Sequence, residues 1–285
     1  MTERTYAFPP GGLPPQSQLL TGRAVFTNAY AVIPKGCLSD IVTSRFPHWD
    51  KTRGWILARP LSGFAETFSQ IVMEIEPGGG ATMPETDPLA EGAYFVLAGT
   101  LTLAIANQSK SALTAGGFAY LPPGAEYKVT NAGETTARVV WIRKPYEAVA
   151  GLSAPSAFVS SDDEAEPQAM PDTNGAWATS HFMDPDDLAH DMHVTIVTLQ
   201  PGAVIPFAET HVMEHGLYVL RGKGVYSLNT DWVEVEAGDF MWLRAFCPQA
   251  CYAGGPEPFR YLLYKDVNRL PRLAPPVSPL GARQA

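Results

Sequence analysis

The feature that most narrows what this 285-residue chain can become is a repeat within itself. The run TFSQIVMEIEPG, 67–78, is matched by HVTIVTLQPG, 193–202, and Ala93 to Gly99 is matched by Gly216 to Gly222. Ala115 to Leu121 answers Glu236 to Trp242, and Val139 to Lys144 answers Tyr261 to Lys265. Each pair lies roughly 120 residues apart, far beyond the period of a solenoid. The matched runs are short, rich in β-branched and aromatic residues, and closed by Gly or Pro-Gly, the punctuation of strands and tight turns. The 25 Gly and 26 Pro of the chain suit many such turns, and 46% hydrophobic residues can fill a core in each copy. An all-β protein of two tandem units is expected.

The copies differ in chemistry. The second carries Glu209-Thr210-His211-Val212-Met213-Glu214-His215-Gly216. In an extended strand side chains alternate faces, so Glu209, His211 and His215 would share one wall while Thr210 and Glu214 point away. One carboxylate and two imidazoles on one wall can hold a metal. A helix would also pair His211 with His215, as in HExxH zinc sites. The flanks, Met192 to Gln200 and Leu217 to Leu220, are β-rich and favour the strand. On the last strand Tyr261, Leu263 and Lys265 would share a face, and on another Tyr226 and Leu228. A lysine aimed into a barrel needs a negative partner, which makes Lys265 a candidate anchor for a substrate carboxylate. Tyr226 and Tyr261 are candidate hydrogen-bond donors beside it.

A net charge of −9 and the lack of a dense Lys/Arg run argue against a nucleic-acid or anionic-membrane partner. No apolar stretch reaches the ~20 residues of a membrane span, and the first residues lack a signal-peptide pattern, so a cytoplasmic location is expected. Three cysteines make a disulfide framework unexpected. Cys247 and Cys251 flank Gln249 and read as buried small hydrophobes. His181, His190 and His193 read as structural. The expected organisation is an arm, 1–22; a first barrel, 23–152; a solvated acidic linker, 153–189; a second barrel, 190–271; and a tail, 272–285. The proline-rich arm could cross to a neighbour, and a homo-oligomer is expected.

The spacing of ligands and glycines in the second copy resembles the two motifs of the cupin superfamily, small jelly-roll β-barrels. The duplication makes the chain resemble a bicupin, two jelly-roll barrels in tandem. The resemblance implies a metal held by Glu209, His211, His215 and Gln249. This nitrogen and oxygen set without thiolate suits Mn(II), Fe(II) or Ni(II) better than structural zinc. The same intervals in the first copy give Thr86, Pro88, Gly92 and Tyr127, so that barrel is expected to be a structural partner.

Glu-Thr-His-Val-x-Glu-His-Gly at 209–216, Gly-x-Gly-Val-Tyr at 222–226 and Lys265-Asp266-Val267-Asn268-Arg269 resemble more narrowly the (S)-ureidoglycine aminohydrolases, manganese bicupins of purine (allantoin) catabolism. That resemblance implies hydrolytic release of ammonia from ureidoglycine, a small anionic substrate, to give (S)-ureidoglycolate. It implies Mn(II) on Glu209, His211, His215 and Gln249, with the substrate carboxylate on Lys265 and Tyr226 and Tyr261 lining the pocket. Glu209 is the expected proton carrier. A rival reading is an Fe(II)-dependent cupin dioxygenase acting on a small carboxylate, since Glu209, His211 and His215 also form a two-His, one-carboxylate set. A storage or ligand-sensing cupin is a non-enzymatic alternative.

Overall fold

The computed structural model describes residues 23–38, 42–60, 64–266 and 269–270. The arm 1–22 and the tail 272–285 lie outside the described residues. Apart from a single 3-10 turn at Lys35–Cys37, every regular element described is a strand. They form an eight-stranded, a nine-stranded and a four-stranded sheet. The nine-stranded sheet builds the N-terminal barrel. The four-stranded sheet of Val204–Glu209, Gln249–Ala253, Lys223–Leu228 and Asp231–Glu236 faces part of the eight-stranded sheet to make the C-terminal barrel.

Strict alternation along the strands sorts side chains into three cores. In His215–Arg221 and Phe259–Asp266, Leu217, Val219, Tyr261 and Leu263 fill the C-terminal barrel, while Tyr218, Leu262 and Tyr264 face the other way. In Ala90–Ala98 and Ala137–Pro145, Tyr94, Val96, Val139 and Trp141 fill the N-terminal barrel, while Ala93, Phe95, Val140 and Ile142 face outward. The two outward faces meet in a shared core that includes Phe68, Phe118 and Trp242. The internal duplication is visible in turn chemistry as well. Gly99 and Gly222 both have φ near +75° (74° and 75°), and at each a Cβ would meet a backbone oxygen, Thr136 O at 2.8 Å and Pro258 O at 2.5 Å. Only glycine fits both demands.

Three expectations about organisation are corrected. Tyr30–Ile33, placed by the sequence in the first barrel, pairs with Phe240–Leu243 of the second, with Trp242 opposite Ala31. The acidic stretch is not a free linker: Phe158–Ser161 joins the N-terminal sheet, while Pro167–Ala169 and Trp177–His181 extend the C-terminal one. Its apolar residues are anchored too, with Phe182 stacked on Phe118 at 4.2 Å, and its Asp162 takes two hydrogen bonds from Arg260 at 2.7 and 3.0 Å. Finally, Lys144 is not the counterpart of Lys265. Gly92 pairs with Arg143 where His215 pairs with Lys265, so Arg143 holds the equivalent place and Lys144 faces the shared core.

Candidate metal centre and substrate pocket

The expected ligands lie at one mouth of the C-terminal barrel, but not on one strand. The strand Val204–Glu209 ends at Glu209, residues 210–214 turn, and the next strand begins at His215. The chain leaves the ladder because Glu209 is already paired with Gln249 across a bulge, and His215 must enter a different sheet between Leu243 and Lys265. Proximity survives the turn. His211 Nε2 is 3.4 Å from Glu209 Oε1, the His211 and His215 ring centroids are 5.1 Å apart, and Gln249 Nε2 lies 3.5 Å from His215 Nδ1. The four residues thus form a chain of neighbours. Among the described residues no three His, Cys, Asp or Glu side chains converge as a ready-made ion cage.

His215 is buried, and its Nε2 has no hydrogen-bond partner. Burial, with the nearby His211 and Lys265, holds the ring well below the usual histidine pKa, so it is neutral and offers a lone pair. Lys265 stands beside it on the ladder, and its other cross-strand neighbour is His193. Residues directly opposite on a sheet share a face, so all three point to the barrel side. Burial lowers the Lys265 pKa, with the Glu209 carboxylate opposing. The half-buried His193 ring, facing Lys265, is pushed down to about 4 by desolvation and by that cation.

Deeper in the barrel Tyr226 and Tyr261 lie with ring centroids 6.2 Å apart, and Tyr226 is 1% exposed with its hydroxyl unpartnered. Burial raises both phenol pKa values, so both stay protonated donors. Thr195, opposite Leu263 on the same face, has a buried and equally unpartnered hydroxyl. Buried polar groups normally find partners, and several unpartnered ones on one barrel interior mark a place where a polar ligand fits. The thiol of Cys251, across from Tyr226, is pushed up to about 12 by burial and is inert as a nucleophile. Motif reading misses His193 and Thr195 because they lie on the plain strand Met192–Leu199. Their signal is positional: odd-numbered residues opposite the Lys265 strand.

The corresponding mouth of the N-terminal barrel has a different lining. A cavity of about 180 Å³ there is bordered by Thr86, Pro88, Gly92 and Tyr127, the four residues at the positions of the expected ligands, together with Glu85 and Asp87. Arg143 makes two hydrogen bonds to Glu85, at 2.6 and 2.5 Å, and the Tyr94 and Tyr127 hydroxyls are 3.2 Å apart.

The Cupin domain family model matches residues 71–143 and 195–264, one match in each barrel. The (S)-ureidoglycine aminohydrolase of Arabidopsis thaliana is 33% identical over 249 residues, covering 87% of this chain and 79% of its own. The (S)-ureidoglycine aminohydrolase of Escherichia coli K12 is 31% identical over 260 residues, covering 89% and 95%. The chain belongs to the (S)-ureidoglycine aminohydrolase family of two-domain cupins. A solved structure from Pseudomonas aeruginosa, bearing the provisional name glyoxylate-induced protein, is 60% identical with a TM-score of 0.86 over 95% of this chain and 99% of its own. For a ureidoglycine aminohydrolase family member the helical alternative at His211 and His215 falls away, since the segment is turn and strand. No helix of the described residues is long and apolar enough to cross a membrane.

Proposed function

We propose that this chain hydrolyses (S)-ureidoglycine to (S)-ureidoglycolate and ammonia, a reaction of purine (allantoin) catabolism, at the mouth of its C-terminal barrel. The observation that carries the reading is the ladder pairing of His215 with Lys265 beside Glu209, in a chain 31–33% identical over most of its length to enzymes of that name. A neutral donor for a cation and a cation for a carboxylate stand side by side, which is what a small chelating carboxylate substrate requires.

The residues fit a divalent ion. The unpartnered, uncharged His215 Nε2 and the mixed Glu209, His211 and Gln249 donors are of the type that Mn(II) accepts, with Fe(II) or Ni(II) as the chemical neighbours. Glu209, His211, His215 and Gln249 would hold the ion, which when bound supplies positive charge that attracts and polarises an anionic substrate. An ion there would replace the Glu209–His211 contact as the partner of both side chains.

The protein groups divide the remaining work. Lys265 pairs with the substrate carboxylate, fixing one corner of the tetrahedral carbon. Tyr226 and Tyr261, kept protonated by burial, donate hydrogen bonds to the ureido oxygen. One carbon–nitrogen bond breaks and one carbon–oxygen bond forms at the same carbon. The ureido nitrogen lone pair assists departure of the amine, and water adds in its place. The amine leaves as ammonia from its protonated form, and Glu209 then accepts the proton that the incoming water gives up and passes it to the released ammonia, so the reaction is balanced without any other reagent. Holding three corners of the substrate also restricts water to one face, and positioning of this kind contributes several kcal/mol, up to about 11 in the best-oriented cases.

Freshly generated ureidoglycine offered to Mn(II)-loaded protein tests the proposal: ammonia release with (S)-ureidoglycolate as product is the expected result. Failure to release ammonia, with oxygen consumed instead, would favour the dioxygenase alternative, which the relatives do not support. A cytoplasmic homo-oligomer completes the proposal, and a single 30.8 kDa species by size-exclusion chromatography would refute the association.

A further inference from the structure

The barrel-facing residues His215 and Lys265 have neighbours in sequence that face the opposite way, toward the N-terminal half. Those neighbours are Glu214, Gly216, Tyr264 and Asp266, and residues 66–70 contact all but Asp266. Glu214 is 4% exposed, and its carboxylate collects four donors. Oε1 accepts the Glu66 N–H at 2.7 Å and the Trp242 indole N–H at 2.5 Å, while Oε2 accepts the Thr67 N–H at 2.8 Å and the Thr67 hydroxyl at 2.6 Å. The backbone N–H of Glu214 in turn donates to the Asp266 carboxylate, and the Asp266 N–H donates to the Glu214 carbonyl at 3.3 Å. The Thr67 hydroxyl is 3.2 Å from the Tyr264 hydroxyl, and Phe68 stacks on Tyr264 at 4.1 Å. At Gly216 a Cβ would run into Gln70 Oε1 and meet Phe68 Cε2 at 2.6 Å, so the contact admits only glycine.

A carboxylate that accepts four hydrogen bonds, from two halves of the chain, is far more constrained than a surface ion pair, because each charge-assisted bond is short and shielded from water. A counterpart exists in the other half with a looser arrangement. Glu91 precedes Gly92 as Glu214 precedes His215, and it accepts one hydrogen bond, from Tyr120 at 2.7 Å, with Lys144 at 3.8 Å. Its other oxygen has no hydrogen-bond partner. Tyr120, adjacent to the Gly92-paired Leu121, matches Trp242, adjacent to the His215-paired Leu243. The pattern is therefore common to both halves, and only the copy behind the candidate site is fully bonded.

We propose that Glu214 is a positioning residue, through which the N-terminal half of the chain sets His215 and Lys265 in register for the ion and the substrate carboxylate. This rests on the functional reading given above. The inert barrel thereby gains a role, with residues 66–70 forming the rigid back wall against which the catalytic ladder is pressed. Outer partners that orient metal-holding side chains typically contribute 10–100-fold to metal affinity or activity.

The test compares Glu214→Gln, Thr67→Val and Glu91→Gln with the unaltered protein. Each is followed by free-Mn(II) electron paramagnetic resonance during Mn(II) titration, by KM and kcat for ammonia release, and by thermal unfolding. Glu214→Gln is expected to weaken Mn(II) binding about 10–100-fold and to raise KM. Thr67→Val, which removes one donor and keeps the side-chain shape, is expected to shift both in the same direction by roughly 3–10-fold, about one hydrogen bond. It decides the matter should Glu214→Gln not fold. Glu91→Gln is expected to leave both Mn(II) affinity and KM unchanged, whatever it does to unfolding. Lowered thermal stability in the Glu214 and Thr67 variants with unchanged Mn(II) affinity and KM would overturn the inference and leave Glu214 as mere interface glue. Unaltered protein that binds no Mn(II) and releases no ammonia would instead overturn the functional reading, and this inference with it.

Discussion

The two barrel mouths are built on the same ladder yet are chemically opposite. In the N-terminal mouth most polar groups satisfy one another: Glu85 takes two hydrogen bonds from Arg143 and two more from the Thr86 and Asp87 N–H groups, and Tyr94 meets Tyr127, while the buried Trp141 indole N–H beside Gly92 is left without a partner. In the C-terminal mouth Lys265 occupies the register of Arg143, and no carboxylate among the described residues closes on it as Glu85 closes on Arg143; His215 Nε2 and the Tyr226 hydroxyl are buried without partners. The difference teaches that a site is recognised less by which polar residues it holds than by how many of them the protein has left unpaired. An unpartnered buried polar atom costs about 1–3 kcal/mol, and a fold carries that cost where a ligand recovers it.

The comparison breaks most sharply at the ligands. Glu209→Ala or His215→Ala should lower kcat/KM for ammonia release by about 10²–10⁴-fold, the range for loss of an acid–base group or its support. Tyr127→Phe, at the ladder position of Gln249, should leave it within about 2-fold, since on the proposed reading it removes only one neutral hydrogen bond from a mouth outside the reaction. Equal losses in both mouths would end the distinction.

Lysine and arginine at the same register give the next test. Lys265→Met should raise KM roughly 10–100-fold through loss of a charged hydrogen bond to the substrate, with a smaller change in kcat. Arg143→Met should leave KM unchanged and lower stability by about 1–2 kcal/mol, because Glu85 keeps its backbone donors but loses its cation. Steady-state kinetics and denaturant unfolding of the two variants separate the outcomes.

A last test, on stability alone, concerns pH. Burial pushes the Glu91 carboxyl up to about 7, with Lys144 and the Tyr120 hydroxyl opposing. The folded state therefore binds this proton more tightly than the unfolded chain, whose carboxyl releases it near its ordinary pKa of 4.5. Stability from this group is present below about 4.5 and is lost as pH rises toward 7, by up to roughly 3 kcal/mol across the window. Glu91→Gln should remove that decline. An identical stability-versus-pH profile for the variant and the unaltered protein between those values would contradict the burial argument.

Much of this was legible in the sequence because local rules carry it. The paired glycines Gly99 and Gly222, the Pro-Gly turns and the β-rich runs point to two barrels, and period-two alternation puts Tyr226, Tyr261 and Lys265 on the pocket side. The parts that were not legible depend on long-range pairing. Nothing within Tyr30–Ile33 says that it will pair with a strand more than 200 residues later, or that Phe158–Ser161 in an acidic stretch will extend the N-terminal sheet. The matching of Lys144 with Lys265 fails by one residue, and one residue is enough to send a side chain to the other face of a sheet. Lys144 accordingly bonds Asp191 in the shared core rather than facing the mouth. Glu214 points away from the ligands, as alternation implies, but only the structure reveals the four donors that await it there.

The central claim is that chemistry and cation belong to one barrel, and the most direct measurement is the anomalous diffraction of crystals grown with Mn(II). The account predicts one ion per chain, touched by Glu209, His211, His215 and Gln249, and none in the mouth bordered by Thr86 and Tyr127. An ion lodged between Glu85 and Asp87, or no ion near His215, would contradict it.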